Sequence, residues 1–126
     1  MTAKEEFIEK MKQRTKTFAL DIIKIYQEFP KNDLYRNIGS QLIRSATSVG
    51  ANYRAVCRAR SDREFFSKIS IVTEESDETI FWIEILIESN LKNNKEMQRL
   101  LSESIELTKI FSKSRKSMSL KLKEKT

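Results

Sequence analysis

Apolar residues recur at intervals of three and four along four long stretches of the chain, the spacing that lays one stripe down a helix. In the first stretch, expected to be helical over 3–28, Phe7, Met11, Phe18, Ile22, Ile25 and Phe29 share a face. Phe29-Pro30 closes it, because proline disfavours helical geometry in the residue before it. The second is expected over 33–59, with Tyr35, Ile38, Leu42, Ala46, Val49, Tyr53 and Val56 in the stripe and Asn32 or Asp33 as its N-cap. Ser61-Asp62-Arg63-Glu64 opens the third with a capping-box pattern. It is expected over 62–90, its core face carrying Phe65, Ile69, Val72, Ile80, Ile83 and Leu86. The fourth, capped by Asn93 or Asn94 and expected over 94–116, has Met97, Leu100, Leu101, Leu107 and Phe111. A basic tail over 117–126 follows.

Connections of a few residues force neighbouring helices to run antiparallel. The pattern therefore predicts one all-α domain over 1–126, an up-down-up-down four-helix bundle. Two glycines and one proline in 126 residues agree, since turn-rich folds consume both. No internal repeat or linker divides the chain.

The third helix has more apolar residues than one face can use. With the core stripe facing inward, Ile71, Trp82 and Ile85 project from the opposite side, and Phe81 lies between the two faces. Such a patch points to a subunit interface, hence a homo-oligomer. The second helix carries Gly39, Gly50 and many Ala and Ser. Helical glycine costs about 1 kcal/mol relative to Ala, which close packing offsets, inside one bundle or between two.

Charge is segregated along the chain. The net charge is +6; residues 36–63 carry six Arg against one Asp, residues 64–88 one Lys against seven acids, and residues 89–126 ten basic against four acidic residues. Two readings of the second helix stand. Its arginines neutralise the acids of the third, within a subunit or between subunits, with Arg44, Glu74 and Glu78 placed at the subunit interface; Arg suits fixed carboxylate pairing. Alternatively, Arg54, Arg58 and Arg60 join Arg99, Lys109, Lys113, Arg115 and Lys116 in a surface for a polyanion such as nucleic acid.

Other chemistry is thin. The chain has no His, the commonest general base and transition-metal ligand, and no glycine-rich phosphate loop. Cys57 is the sole cysteine and has Arg54, Arg58 and Arg60 near it, which could lower a thiol pKa; a buried small residue is the simpler reading. No catalytic residue, metal site, cofactor or small-molecule substrate is expected. No stretch reaches the 18 or so apolar residues of a membrane span, and the start, MTAKEEFIEK, is unlike a signal peptide. A cytoplasmic protein is expected.

Residues 44–86 read RSATSVGANYRAVCRARSDREFFSKISIVTEESDETIFWIEIL. This resembles the bacterial four-helix-bundle family first found encoded by intervening sequences within large-subunit ribosomal RNA genes. Arg44, Ala46, Ser48, Val49, Ala51, Asn52, Arg58, Arg60, Glu64 and Phe65 match its core pattern. Glu74, Glu78 and Trp82 to Leu86 match its acidic, apolar third helix, and the likeness covers about residues 10–115. One departure stands out: many members follow Ala-Asn-Ile with Ala-Glu-Gly, where this chain has Tyr53-Arg54-Ala55-Val56-Cys57-Arg58. The resemblance implies a homopentamer around a central channel. It also implies kinship with the accessory variability determinant of diversity-generating retroelements, a basic pentamer that works with a reverse transcriptase and its RNA. The expectation is a non-enzymatic homopentamer binding nucleic acid, RNA foremost; a protein-binding scaffold whose charges serve only its own assembly is the rival.

Overall fold

The computed structural model describes residues 1–125; Thr126, the end of the expected tail, lies outside the described residues. The helices are α1 (Ala3–Glu28), α2 (Asp33–Cys57), α3 (Asp62–Glu88) and α4 (Lys95–Glu124). Each begins at a residue whose side-chain oxygen accepts a backbone N–H three residues on. Thr2 takes that of Glu5, Asn32 that of Tyr35, Ser61 that of Glu64 and Asn94 that of Met97. Each cap is worth about 1 kcal/mol.

The buried residues alternate three- and four-residue steps: 11, 15, 18, 22, 25 on α1; 69, 72, 76, 79, 83, 86 on α3; 97, 100, 104, 107, 111 on α4. A strict seven-residue repeat drifts against the 3.6-residue turn and winds the helices into a left-handed supercoil. Consecutive helices pack closely, whereas α1 and α4 meet sparingly. That looser seam is bridged by ion pairs, Arg14–Glu103 at 2.7 Å and Arg99–Asp21 at 2.9 Å, and Lys92 in the α3–α4 connection reaches Glu28 at 3.7 Å.

Polar side chains occupy core positions near mid-bundle. Thr15, Ser45, Ser76, Thr79 and Ser104 are buried. The Thr79 hydroxyl lies 3.0 Å from Ser45 Oγ and 2.8 Å from the Glu75 carbonyl oxygen, and Ser76 and Thr108 share a 2.6 Å hydrogen bond. Among the described residues no buried side-chain N or O lacks a partner.

Several expectations need correction. Ile80 is only half-buried, because Ser76 and Thr79 hold the inward positions that apolar spacing alone assigned to it. Phe7 is 48% exposed, one turn beyond Met11, at the open seam. Helix α2 stops at Cys57 with Arg58 as C-cap, and α3 at Glu88, after which Asn90 adopts φ 63°, a left-handed geometry Asn tolerates. The tail is not a tail: α4 runs to Glu124. Its last turns contain no Gly or Pro, Met118 and Leu122 remain half-buried, and Lys121 and Lys125 both reach Asp62 at the start of α3.

Candidate nucleic-acid interface

Folding turns segregation along the sequence into segregation along the bundle axis. Among the described residues, one half comprises residues 1–16, 47–75 and 109–125 and carries seventeen basic against eight acidic residues; the other half carries seven against ten. The C-terminal turns of α4, the start of α1 and the end of α2 all contribute to the basic half.

Within it, α1 and α2 flank an open groove of about 510 Å³. Lys12 and Lys16 line it from α1, Arg54 and Arg58 from α2. Each pair is four residues apart, so its members stand one above the other on their helix. Ala19, Gly50 and Ala51 form a floor too small to fill the space. The Thr15 and Thr47 hydroxyls also border it, but both donate to carbonyls of their own helices. No carboxylate lines the groove among the described residues. Glu9 reaches Lys12 at 3.5 Å, and among the described residues no side-chain hydrogen bond or ion pair engages Lys16, Arg54 or Arg58. Lys12 and Lys16 escape the sequence reading because α1 is nearly neutral in charge; the missed signal is their four-residue spacing opposite the small residues of α2.

The other expected basic residues divide. Arg99 is neutralised: it bonds Asp21 and Glu96 in the opposite half, and the two carboxylates raise its pKa. It does not join the free basic surface. Arg60 pairs with Glu64 at 3.4 Å and Lys109 with Glu106 at 3.6 Å, both exposed. Arg115 donates to Ser70 at 2.9 Å and lies over the Phe66 ring at 4.9 Å, which fixes it against α3. Lys113 borders a second groove, about 530 Å³, between Phe7 and Phe65 where α1 and α4 diverge. Lys116 is exposed on α4.

On the outer face of α3, Ile71 is 44% and Phe81 51% exposed. Phe81 therefore belongs to the projecting patch rather than between faces. Trp82 and Ile85 are half-buried. Trp82 packs edge-on to Phe81, with centroids 5.0 Å apart, and its Nε1 donates to Glu78 at 3.0 Å. Glu78 also bonds Arg44, whose second partner is Glu75 at 3.1 Å; Glu74 is exposed. Arg44 thus neutralises α3 acids within one subunit.

Cys57 is half-buried. Burial pushes its thiol above the ordinary range, outweighing the Tyr53 hydrogen bond and the pull of Lys12 and Arg58. The neighbouring arginines do not activate it. Among the described residues no cluster of three or more His, Cys, Asp or Glu could hold a metal ion, and no helix is long and apolar enough to cross a membrane.

The sequence model of the 23S rRNA-intervening sequence protein family matches residues 9–113, so the last turns of α4, with Lys116, Lys121 and Lys125, extend beyond the matched region. A crystal structure of a protein of unknown function from the S23 ribosomal protein family of Bacteroides thetaiotaomicron is similar, with a TM-score of 0.75 and 29% identity. The likeness covers 83% of this chain and 97% of that one. No curated protein matches.

Proposed function

The chain belongs to the 23S rRNA-intervening sequence protein family, and we propose that it is a non-enzymatic homo-oligomer whose basic half holds RNA by its phosphates. The ring of five subunits, and service as an accessory to a reverse transcriptase, are the forms that its resemblance implies. The observation that carries the reading is the groove between α1 and α2, where four cations converge and, among the described residues, no carboxylate lines the walls. Repetition of that half around an oligomer multiplies the field and favours long polyanions. The exposed Ile71 and Phe81 supply an apolar face for self-association.

The rival reading, a scaffold whose charges serve only assembly, draws on Arg44, which is spent on Glu75 and Glu78. It leaves the side chains of Lys16, Arg54 and Arg58 without hydrogen-bond or ion-pair partners among the described residues. The two separate in one experiment: structured RNA is titrated with the intact protein at low ionic strength, with particle mass measured in parallel. Binding by a species several times 14.8 kDa is expected. A particle that assembles and ignores RNA would leave the scaffold.

A further inference from the structure

We propose that the α1–α2 groove is a track for one single-stranded phosphodiester backbone, bound without regard to base sequence. The inference rests on the nucleic-acid reading above and names the part of the basic half that does the work. Its cations form two facing rows rather than a patch. Lys12 and Lys16 stand one turn apart on α1, and Arg54 and Arg58 one turn apart on the antiparallel α2. Each step is about 5–6 Å along the helix surface. A strand lying along the groove meets charge from both walls at successive phosphates. A duplex, presenting one strand's edge to a gap between two packed helices, reaches the rim only.

Three further features fit a backbone ligand. The floor of Ala19, Gly50 and Ala51 leaves the space empty, so a sugar-phosphate chain can descend between the rows. Among the described residues the groove is lined by no aromatic ring on which a base could stack, the usual device for gripping single strands through their bases. The two threonine hydroxyl protons are committed to helix carbonyls, so neither hydroxyl has a proton to donate to a base edge. What remains is charge presented in a line. Arg54 and Arg58, with planar guanidinium forks, suit phosphate oxygens, and Lys12 and Lys16 act as point charges opposite them.

A second subunit's acidic α3 is the competing occupant, since residues 64–88 carry seven acids and one Lys. Against it, α3 already spends Glu75 and Glu78 on Arg44. Its remaining exposed acids are interspersed with Ile71 and Phe81, which a charged, small-floored groove does not accommodate.

The test uses the full chain, fluorescently labelled homopolymer strands of A, C and U, and a mixed-sequence RNA duplex of equal length. Affinity is measured by anisotropy at several salt concentrations. Two variants accompany the wild type: the double substitution Arg54→Gln/Arg58→Gln, and Ala51→Leu, which fills the groove without changing charge. Ala51 is exposed and Leu is a strong helix former, so the fold should tolerate it. Expected are similar affinities for the three homopolymers and weaker binding of duplex. The double variant should bind the strands at least about tenfold more weakly, its log–log salt slope shallower by about 1.4 for two lost phosphate contacts. Ala51→Leu should lose affinity at unchanged slope in the residual binding, with particle mass and melting temperature preserved. RNA binding that neither variant alters would overturn the groove while leaving the general reading intact; no RNA binding at all would remove both. A fall in particle mass on Arg54→Gln/Arg58→Gln would assign the groove to a neighbouring subunit and likewise overturn the proposal.

Discussion

The two glycines make a matched pair of perturbations with opposite expected signs. Both lie within α2, and replacing either by Ala removes backbone freedom from the unfolded chain and favours the helix by roughly 0.5–1 kcal/mol. They differ in what a methyl group would meet. At Gly50 the nearest atoms are Thr15 O and Thr15 Oγ1, each at 3.6 Å from an ideal Cβ, which is ordinary contact. At Gly39 the same Cβ would stand 2.4 Å from Tyr26 Cδ2, 2.5 Å from Tyr26 Cε2 and 3.3 Å from Phe29 Cδ2. The Tyr26 ring would have to leave α2, disturbing its contact with Phe29 (centroids 6.0 Å apart) and with it the tilted contact of Phe29 with Tyr35 (5.2 Å). Overpacking of this kind costs about 1–3 kcal/mol, enough to outweigh the helix-propensity gain. Gly50→Ala is therefore expected to stabilise by about 0.5–1 kcal/mol and Gly39→Ala to destabilise by about 1–2 kcal/mol. At roughly 3–6 °C per kcal/mol for a domain of this size, the two melting temperatures should separate by about 5 °C or more. Thermal denaturation followed by circular dichroism, at one fixed protein concentration because association shifts apparent stability, reads the difference. A Gly39→Ala protein as stable as Gly50→Ala would refute the claim that the Tyr26 ring rests on bare α2 backbone.

Other predictions follow the same residues. Arg99→Gln should lower stability by no more than about 1 kcal/mol, as expected for an exposed ion pair, and leave RNA affinity within about twofold, since Asp21 and Glu96 already consume its charge; an affinity loss matching that of Arg54→Gln would contradict its removal from the basic surface. Asp62 is held below the usual carboxylate range by hydrogen bonds from Lys125 and Lys121. Because its folded pKa is the lower one, its contribution is present above pH 4 or so and lost as pH falls through the depressed value. Acid melts of wild type and Asp62→Asn should accordingly converge below that pH, and hydrogen exchange should show the last turns of α4 loosened in the variant at pH 7. Phe81→Glu should reduce the particle mass towards 14.8 kDa in sedimentation while helicity is kept, because Phe81 is 51% exposed and contributes little to the bundle's own core; an unchanged mass would place the subunit contact elsewhere.

Much of the fold is written in apolar spacing, and the four helices and their order follow from it directly. The starts were legible because Asn32, Ser61 and Asn94 combine a capping side chain with the onset of a stripe. The errors have a common origin in treating apolarity as burial. Ser76 and Thr79 sit inward because their hydroxyls find partners, displacing Ile80, and Phe7 sits outward because α1 and α4 separate at that end. The continuation of α4 to Glu124 depends on Lys121 and Lys125 meeting Asp62, a contact 63 residues apart in the longer case, which no local pattern announces. The candidate site was legible only by half. Arg54 and Arg58 stand out in an Arg-rich segment, while Lys12 and Lys16 acquire meaning once α1 is laid against α2. Conversely, Arg99 reads as free until Asp21, on another helix, is brought beside it.

The most direct measurement is the dependence of RNA affinity on salt for the wild-type oligomer. Four groove cations neutralising four phosphates of a single strand release counterions with a log–log slope near −2.8, at about −0.7 per contact. A linear fall in log K with log salt of at least that steepness is expected. An affinity that stays flat from low to physiological salt, or no binding at low salt, would contradict a protein that holds nucleic acid by its phosphates.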